Sequence, residues 1–283
     1  HGHVGMSAPS RSGTTHLTVE TLLQGKGWKD GWAMWKNIAG NFKTVTARSF
    51  GVPDGVNSGQ FGVGIVIDFF GLSSKASGFP VDFVYPKVTT LVPANIAIVK
   101  NAPNPKSAAA FIEFLLSPGG QEVLLDPKIR RLPVNPKTYA KAPKGFPNPF
   151  EDASIGSAVK FDLQLSKSRY NVINSLFDVM ITYRLDDLRA AVKAIQAAEA
   201  KQKGKSNAAA SKLISEARAL VSMVPINEAK ASENSFNKVF KKKRKKKTTK
   251  TTGRQAEFEQ AWDTQIKANY AKAKSLAEKA ASM

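Results

Sequence analysis

The sequence predicts an α/β protein that passes into a helical C-terminal region. Three observations predict it. Residues 1–150 set short apolar runs, rich in Val, Phe, Gly and Pro, between stretches of helical periodicity, which is the pattern of alternating strands and helices. From residue 151 onward alanine and lysine rise, glycine falls and strand patterns cease. The chain has 283 residues, 42% of them hydrophobic, which is enough apolar material for one large or two modest domains with a real core.

The elements follow in chain order. Residues 4–7 read as a strand running into a loop, and residues 44–50, 64–67, 81–85 and 96–99 read as further strands. A helix is expected over residues 14–24, stopped by Gly25. Trp28, Trp32 and Trp35 recur at helical spacing, which suits core packing, although three aromatics on one face also make a platform for a ligand. Asn57, Ser58 and Gly59 read as a turn ahead of a strand. Asn104 and Pro105 make a helix start, with Asn as N-cap and Pro at the first helical position, and Ala109, Phe111, Ile112, Phe114 and Leu115 form its apolar side. In the C-terminal half, Leu188, Val192 and Ile195, then Leu213, Ala217 and Leu220, then Phe258, Trp262 and Ile266 mark three amphipathic helices. Residues 201–207 and 241–253 read as linkers. The expected organisation is an α/β domain over 1–86, a return segment over 87–150, a helical region over 151–240, a polybasic linker over 241–254 and a C-terminal helix over 255–283.

Charge narrows the partners. The formal net charge is +20, and residues 241–254 contribute nine basic residues and no acidic ones, nearly half of that excess. A nucleic-acid footprint spreads basic charge over a face. Here the excess is local, and the run lacks the interleaved aromatics that stack bases. A solvated linker is therefore expected and nucleic acid is not the expected partner; binding of anionic lipid or nucleic acid by the run is the competing reading. There is no cysteine, which excludes disulfides, thiolate metal sites and cysteine nucleophiles but not an extracytoplasmic location. All three histidines, His1, His3 and His16, lie within the first 16 residues, so histidine acid–base chemistry elsewhere is excluded. No Gly-x-Ser-x-Gly elbow or His-Glu-x-x-His motif occurs. Asp186 and Asp187 sit at a helix start, where the macrodipole accounts for them. No catalytic residues, resident metal or cofactor are expected, and the protein is expected not to be an enzyme.

The segment PSRSGTTH at residues 9–16 carries the chemistry. Ser10, Ser12, Thr14 and Thr15 offer hydroxyls, Gly13 allows close backbone approach, and Arg11 can pair with phosphate or carboxylate. A helix follows at once, and its free N–H groups and dipole attract anions. Two readings fit: an oxyanion pocket, and an ordinary N-cap with a polar turn. No Gly-Lys-Ser/Thr ends the segment, so it is not a P-loop. GQFGVG at residues 59–64 precedes a strand rather than following one, which argues against a dinucleotide fingerprint.

The strings GMSAPSRSGTTHLTVETLLQ, RSFGVPDGVNSGQFGVGIVIDFF and VPANIAIVKNAPNPKSAAAFIEFLLSPGGQEVLLDP, in this order, resemble the type II periplasmic solute-binding proteins of ABC importers. More narrowly they resemble the cluster that includes ferric-iron, phosphoglycerate, sugar-phosphate and aminophosphonate binders. The resemblance covers residues 4–150 well, weakens to about residue 200 and omits the polybasic run. It implies a two-lobed type II periplasmic-binding-protein-like fold with ligand between the lobes, part of the first lobe lying upstream of His1 along with a signal peptide, and a periplasmic location. It also implies a small anionic ligand and an ABC-importer membrane permease as partners, with a membrane sensor kinase as the partner of a regulatory relative. Ferric binders of this type use adjacent tyrosines where this chain has Ile67, Asp68, Phe69 and Phe70. Phenylalanine cannot ligate iron, so the resemblance shifts the expected ligand to a phosphorylated or phosphonate metabolite. Its anionic end would sit at Ser10, Arg11, Ser12, Gly13, Thr14 and Thr15, with Arg48 as a second anion contact and Asp68 reading the other end. Asp68 as a cap of the next helix, and Phe69 and Phe70 as core residues, are the competing readings. Ferric-iron binding, with His1, His3, His16 and Asp68 as other donors, stays as an alternative.

Overall fold

The structure, a computed structural model, describes residues 2–156, 158–241 and 251–283. In chain order the elements are β1 (Val4–Ser7), α1 (Gly13–Lys26), α2 (Trp28–Ala39), β2 (Phe42–Thr46), α3 (Gly51–Asn57), β3 (Val63–Gly64), α4 (Asp68–Ala76), α5 (Pro105–Leu116) and α6 (Pro118–Val123). There follow α7 (Leu163–Phe177), α8 (Leu185–Gln202), α9 (Ala208–Ser222), α10 (Glu228–Ser232), α11 (Asn234–Asn237) and α12 (Arg254–Ala281). The α/β class holds, with helices predominating. The chain divides into two compact units, residues 1–66 with 162–283, and residues 67–161.

The larger unit is organised by a parallel sheet of order β2-β1-β3. Met6 pairs with Val45 and Ser7 with Thr46 on one side of β1; Val4 pairs with Val63 and Gly5 with Gly64 on the other. Gly5 is required by packing: a Cβ there would meet the Phe61 ring at 2.4 Å, so the central strand stays bare where the buried Phe61 lies across it. The same ring closes on Gly55 of α3.

Helices supply most of this unit's core. Along α12, Trp262, Ile266, Tyr270, Ala273, Ala277 and Ala280 are buried at steps of three and four residues, one face of a 3.6-residue period. The small residues of that stripe let α8 and α9 approach, which bury Leu188, Ala191, Val192, Ile195 and Ala198, and Ala210, Ala217 and Val221. The tryptophans of α2 are core residues. Trp28 donates its indole N–H to the Ile226 carbonyl at 3.1 Å and Trp35 to Val19 at 3.2 Å. Asp162 starts α7, its carboxylate accepting from the amides of Gln164 at 2.8 Å and Leu165 at 2.9 Å. Buried charge is paired in one place and unpaired in another. Glu20 accepts two hydrogen bonds from the Arg169 guanidinium at 2.9 and 2.8 Å, with both side chains fully buried. Lys36 is equally buried and donates to the Met223 carbonyl at 2.5 Å, with the Tyr270 ring 5.7 Å away.

The smaller unit is less regular. It contains α4, α5 and α6, a 3-10 turn over Pro136–Lys141 and long irregular stretches. No residue of α5 is buried: Phe111, Phe114 and Leu116 are all more than half exposed.

Several boundaries differ from the sequence expectation. Residues 81–85 and 96–99 form no strand. A strand exists only as part of a ladder, and Pro80, Pro86 and Pro93 remove donors around these runs. Residues 44–50 do not continue as a strand beyond Thr46; the chain bends at Arg48 and enters α3 at Gly51. The strand expected at 64–67 is only Val63–Gly64. Gly25 lies inside α1, and the stop is Gly27, whose φ of 80° suits glycine. The linker expected from residue 201 begins later, since α8 runs to Gln202. Residues 242–250 of the polybasic run lie outside the described residues. Among the described residues no helix is long and apolar enough to cross a membrane.

Candidate functional site

The larger unit places residues 10–15 where its topology changes direction. From β1 the sheet grows first to β2 on one side, and the chain then crosses to β3 on the other. Ligands of open parallel sheets bind beyond the carboxyl ends of the strands at such a switch point. Ser7 ends β1; Ala8, the 3-10 turn Pro9–Arg11 and α1 follow.

Within this segment the hydrogen bonds separate the residues that hold the turn from those left available. Ser12 is the N-cap of α1; its hydroxyl accepts from the Thr15 amide at 3.3 Å and lies 2.9 Å from the Thr14 hydroxyl. Thr15 is buried, and its hydroxyl is hydrogen-bonded to that of Ser7, which ties the first turn of the helix to the end of the strand. Among the described residues, the amides of Gly13 and Thr14 and the hydroxyl of Ser10 have no partner in the chain, and the half-buried Arg11 makes no ion pair. Gly13 is exposed, with nothing within 4 Å of where a Cβ would project. Two free amides at the positive end of a 14-residue helix, flanked by hydroxyls and one free guanidinium, can bind an oxyanion.

Arg48 is exposed and follows β2 at the same, carboxyl end of the sheet. Thr46, two residues earlier, is in register with Ser7 and accepts from the Ala8 amide at 3.0 Å. Asn57–Gly59 lie toward the opposite, amino end of the sheet, since the loop after them returns to His3, whose carbonyl accepts from the Gly62 amide at 2.8 Å. His16 is a packing residue. It is fully buried against Tyr170, with Nδ1 2.8 Å from the Asn174 side-chain oxygen and Nε2 3.2 Å from the Ser166 hydroxyl. Burial holds its pKa below the ordinary value, the Asn174 bond acting in the other direction. Both ring nitrogens are engaged, so His16 is not available to the metal set considered from the sequence. Among the described residues no group of three or more His, Asp or Glu is placed to hold a metal ion.

Asp68 belongs to the smaller unit. It is the first residue of α4 rather than its cap, a position occupied by Ile67. One carboxylate oxygen accepts from the Phe69 amide at 2.8 Å and the other from the Tyr85 hydroxyl at 3.0 Å. Burial, with the Asp68 charge adding to it, pushes the Tyr85 hydroxyl far above its ordinary pKa and that of Tyr139 up to about 12. Phe69 and Phe70 are half-buried and in contact, with ring centroids 4.6 Å apart. Tyr85 and Tyr139 were not anticipated as neighbours of Asp68. Local sequence carries no sign of a pairing that spans from α4 to the 3-10 turn.

Comparisons with known proteins place the chain in a family. The family model described as "Bacterial extracellular solute-binding protein" matches residues 1–153. The phosphoglycerate transport regulatory protein PgtC of Salmonella typhimurium is 34% identical over 235 residues, covering 83% of this chain and 56% of the relative. The protein of the same name from Salmonella typhi matches to the same extent. The chain thus spans about half the length of the curated relatives it matches. No solved structure matches it.

Proposed function

The chain belongs to the bacterial extracellular solute-binding protein family, and on that premise we propose that it captures a small phosphorylated or phosphonate metabolite outside the cytoplasm for an ABC importer. The proposal includes the two-lobed type II architecture of such proteins, delivery to a membrane permease, and binding without catalysis. The observation that carries it is the free N-terminus of α1 at the carboxyl end of the central strand. Its unpartnered Gly13 and Thr14 amides, with Ser10, Arg11 and Ser12 beside them, are a complement for an oxyanion. Arg48, after the carboxyl end of the neighbouring strand β2, adds a second cation.

Ferric binding fits less well. Iron(III) takes phenolate oxygens, whereas the Tyr85 hydroxyl keeps its proton, donating a hydrogen bond to Asp68, and is held far above its ordinary pKa by burial and by that carboxylate. A regulatory role is the second reading, favoured by the name of the Salmonella relatives. In that reading the liganded protein signals to a membrane sensor kinase.

Calorimetry on the full chain with 3-phosphoglycerate, 2-aminoethylphosphonate and ferric citrate tests the proposal. Heat with a phosphorylated or phosphonate ligand is the expected result, lost in Ser12→Ala/Thr14→Ala. Heat with ferric citrate and none with the other two overturns it.

A further inference from the structure

The smaller unit holds two arginines whose surroundings leave their charge unused. Arg131 is exposed and lies over the Phe69 ring, its guanidinium carbon 3.8 Å from the ring centroid. Arg130 is half-buried, 5.7 Å from the centroid of Phe146. Phe146 in turn packs against Tyr139, centroids 6.0 Å apart, and Tyr139 is fixed by its hydroxyl bond to the Pro133 carbonyl at 2.9 Å. Neither guanidinium makes an ion pair or a side-chain hydrogen bond among the described residues. The nearest acids in sequence are committed elsewhere. Glu122 pairs with Lys141 at 2.5 Å, and the Asp126 carboxylate accepts from the Lys128 amide at 2.8 Å.

The backbone is set to present them. Arg130 has φ of 47°, a left-handed conformation uncommon for a residue with a Cβ. It is held there by the Arg130 amide bonding to the Asp126 carbonyl at 2.9 Å and the Arg131 amide to Leu124 at 3.0 Å. Such conformations persist where the surroundings impose them and concentrate at ligand clamps. Stacking on a ring also fixes the plane of a guanidinium, so less freedom is lost when its fork meets an oxyanion.

We propose that Arg130 and Arg131 form an oxyanion-binding pair, taking the phosphate or carboxylate of a small organic acid. Asp68, adjacent in sequence to the Phe69 that carries Arg131, supplies an acceptor for a hydroxyl of the same ligand. This deepens the solute-capture reading and rests on it for the ligand class, though the pair is testable separately.

The test is phenylglyoxal labelling of the full-length chain with peptide mapping, in inorganic phosphate, glycerate or 3-phosphoglycerate. Arg218, already bound through Nε and Nη2 to Glu199 at 2.9 and 2.7 Å, is the control. Protection of Arg130 and Arg131 but not Arg218 is expected, and phosphate against glycerate tells which oxyanion the pair takes. Calorimetry with 3-phosphoglycerate should show Arg131→Gln binding about ten- to a hundredfold more weakly. Arg131→Lys, which keeps the charge but loses the fork, should fall between. Undiminished labelling of both arginines under every anion overturns the pair, and needs no variant to fold. Protection at Arg11 without protection at Arg131 also overturns the pair while leaving the capture reading intact. Protection at Arg131 with none at Arg11 supports the pair and overturns the assignment of the α1 N-terminus.

Discussion

The two units spend their apolar residues differently. In the larger, α12 buries a continuous stripe from Trp262 to Ala280 against α8 and α9, and even Arg169, Glu20 and Lys36 are fully buried. In the smaller, α5 carries Phe111, Ile112, Phe114 and Leu115 yet buries none of them, and Val84 and Val99 are about three-quarters exposed, at 79% and 72%. The contrast teaches that an apolar stripe is a capacity for packing and not packing itself. The smaller unit keeps its polar and aromatic groups in local clusters, Asp68 with Tyr85 and Arg131 on Phe69, which stand without a deep helical core.

The largest break in this contrast should come from the buried ion pair. Arg169→Ala leaves Glu20 without its bidentate partner, and we expect a loss of about 3–5 kcal/mol in urea unfolding. Replacing Glu20 as well, by Arg169→Met/Glu20→Met, should recover much of that loss, because the cost lies in the orphaned charge. A loss below about 1 kcal/mol in the single variant would show that water reaches the pair. Next comes a matched pair of truncations. Ile266→Ala in α12 should cost about 2–5 kcal/mol, and Phe111→Ala in α5 less than about 0.5 kcal/mol. Equal losses would mean that α5 is covered in solution and would remove the contrast.

A third break comes from the pH dependence set by Lys36, whose pKa burial lowers to about 7. Between that value and the ordinary 10.5 the unfolded chain holds a proton that the folded chain has released. Stability therefore rises with pH across this window and is lower, but flat in this respect, below it. Lys36→Met should abolish the rise and stabilise the protein at pH 7 by about 1–3 kcal/mol. A profile unchanged by the substitution would sink this reading of Lys36.

Much of the larger unit was legible from local pattern. The Trp28, Trp32 and Trp35 spacing and the stripes of α8 and α12 follow from a 3.6-residue period, which needs no knowledge of the partner surface. The start of α5 after Asn104 was legible because backbone rules act within a few residues. The strands expected at 81–85 and 96–99 failed for the converse reason: β composition is local, but a ladder requires a second strand. At the candidate site, the hydroxyls and Gly13 could be read directly. The division between Thr15, engaged by Ser7, and the free Gly13 and Thr14 amides could not, because it depends on how β1 meets α1.

By itself, the sequence determined an α/β protein with a helical C-terminal region, the chemistry of residues 10–15, the absence of cysteine and the confinement of histidine to the first 16 residues. These are properties of composition and short-range periodicity. Only the tertiary structure decided that β1 is the central strand and its carboxyl end the switch point, that Arg169 and Glu20 are a buried pair, and that Arg131 lies on Phe69 without an ion pair among the described residues. Each of those joins residues far apart in the chain, where the free energy of contact depends on geometry that no local pattern encodes.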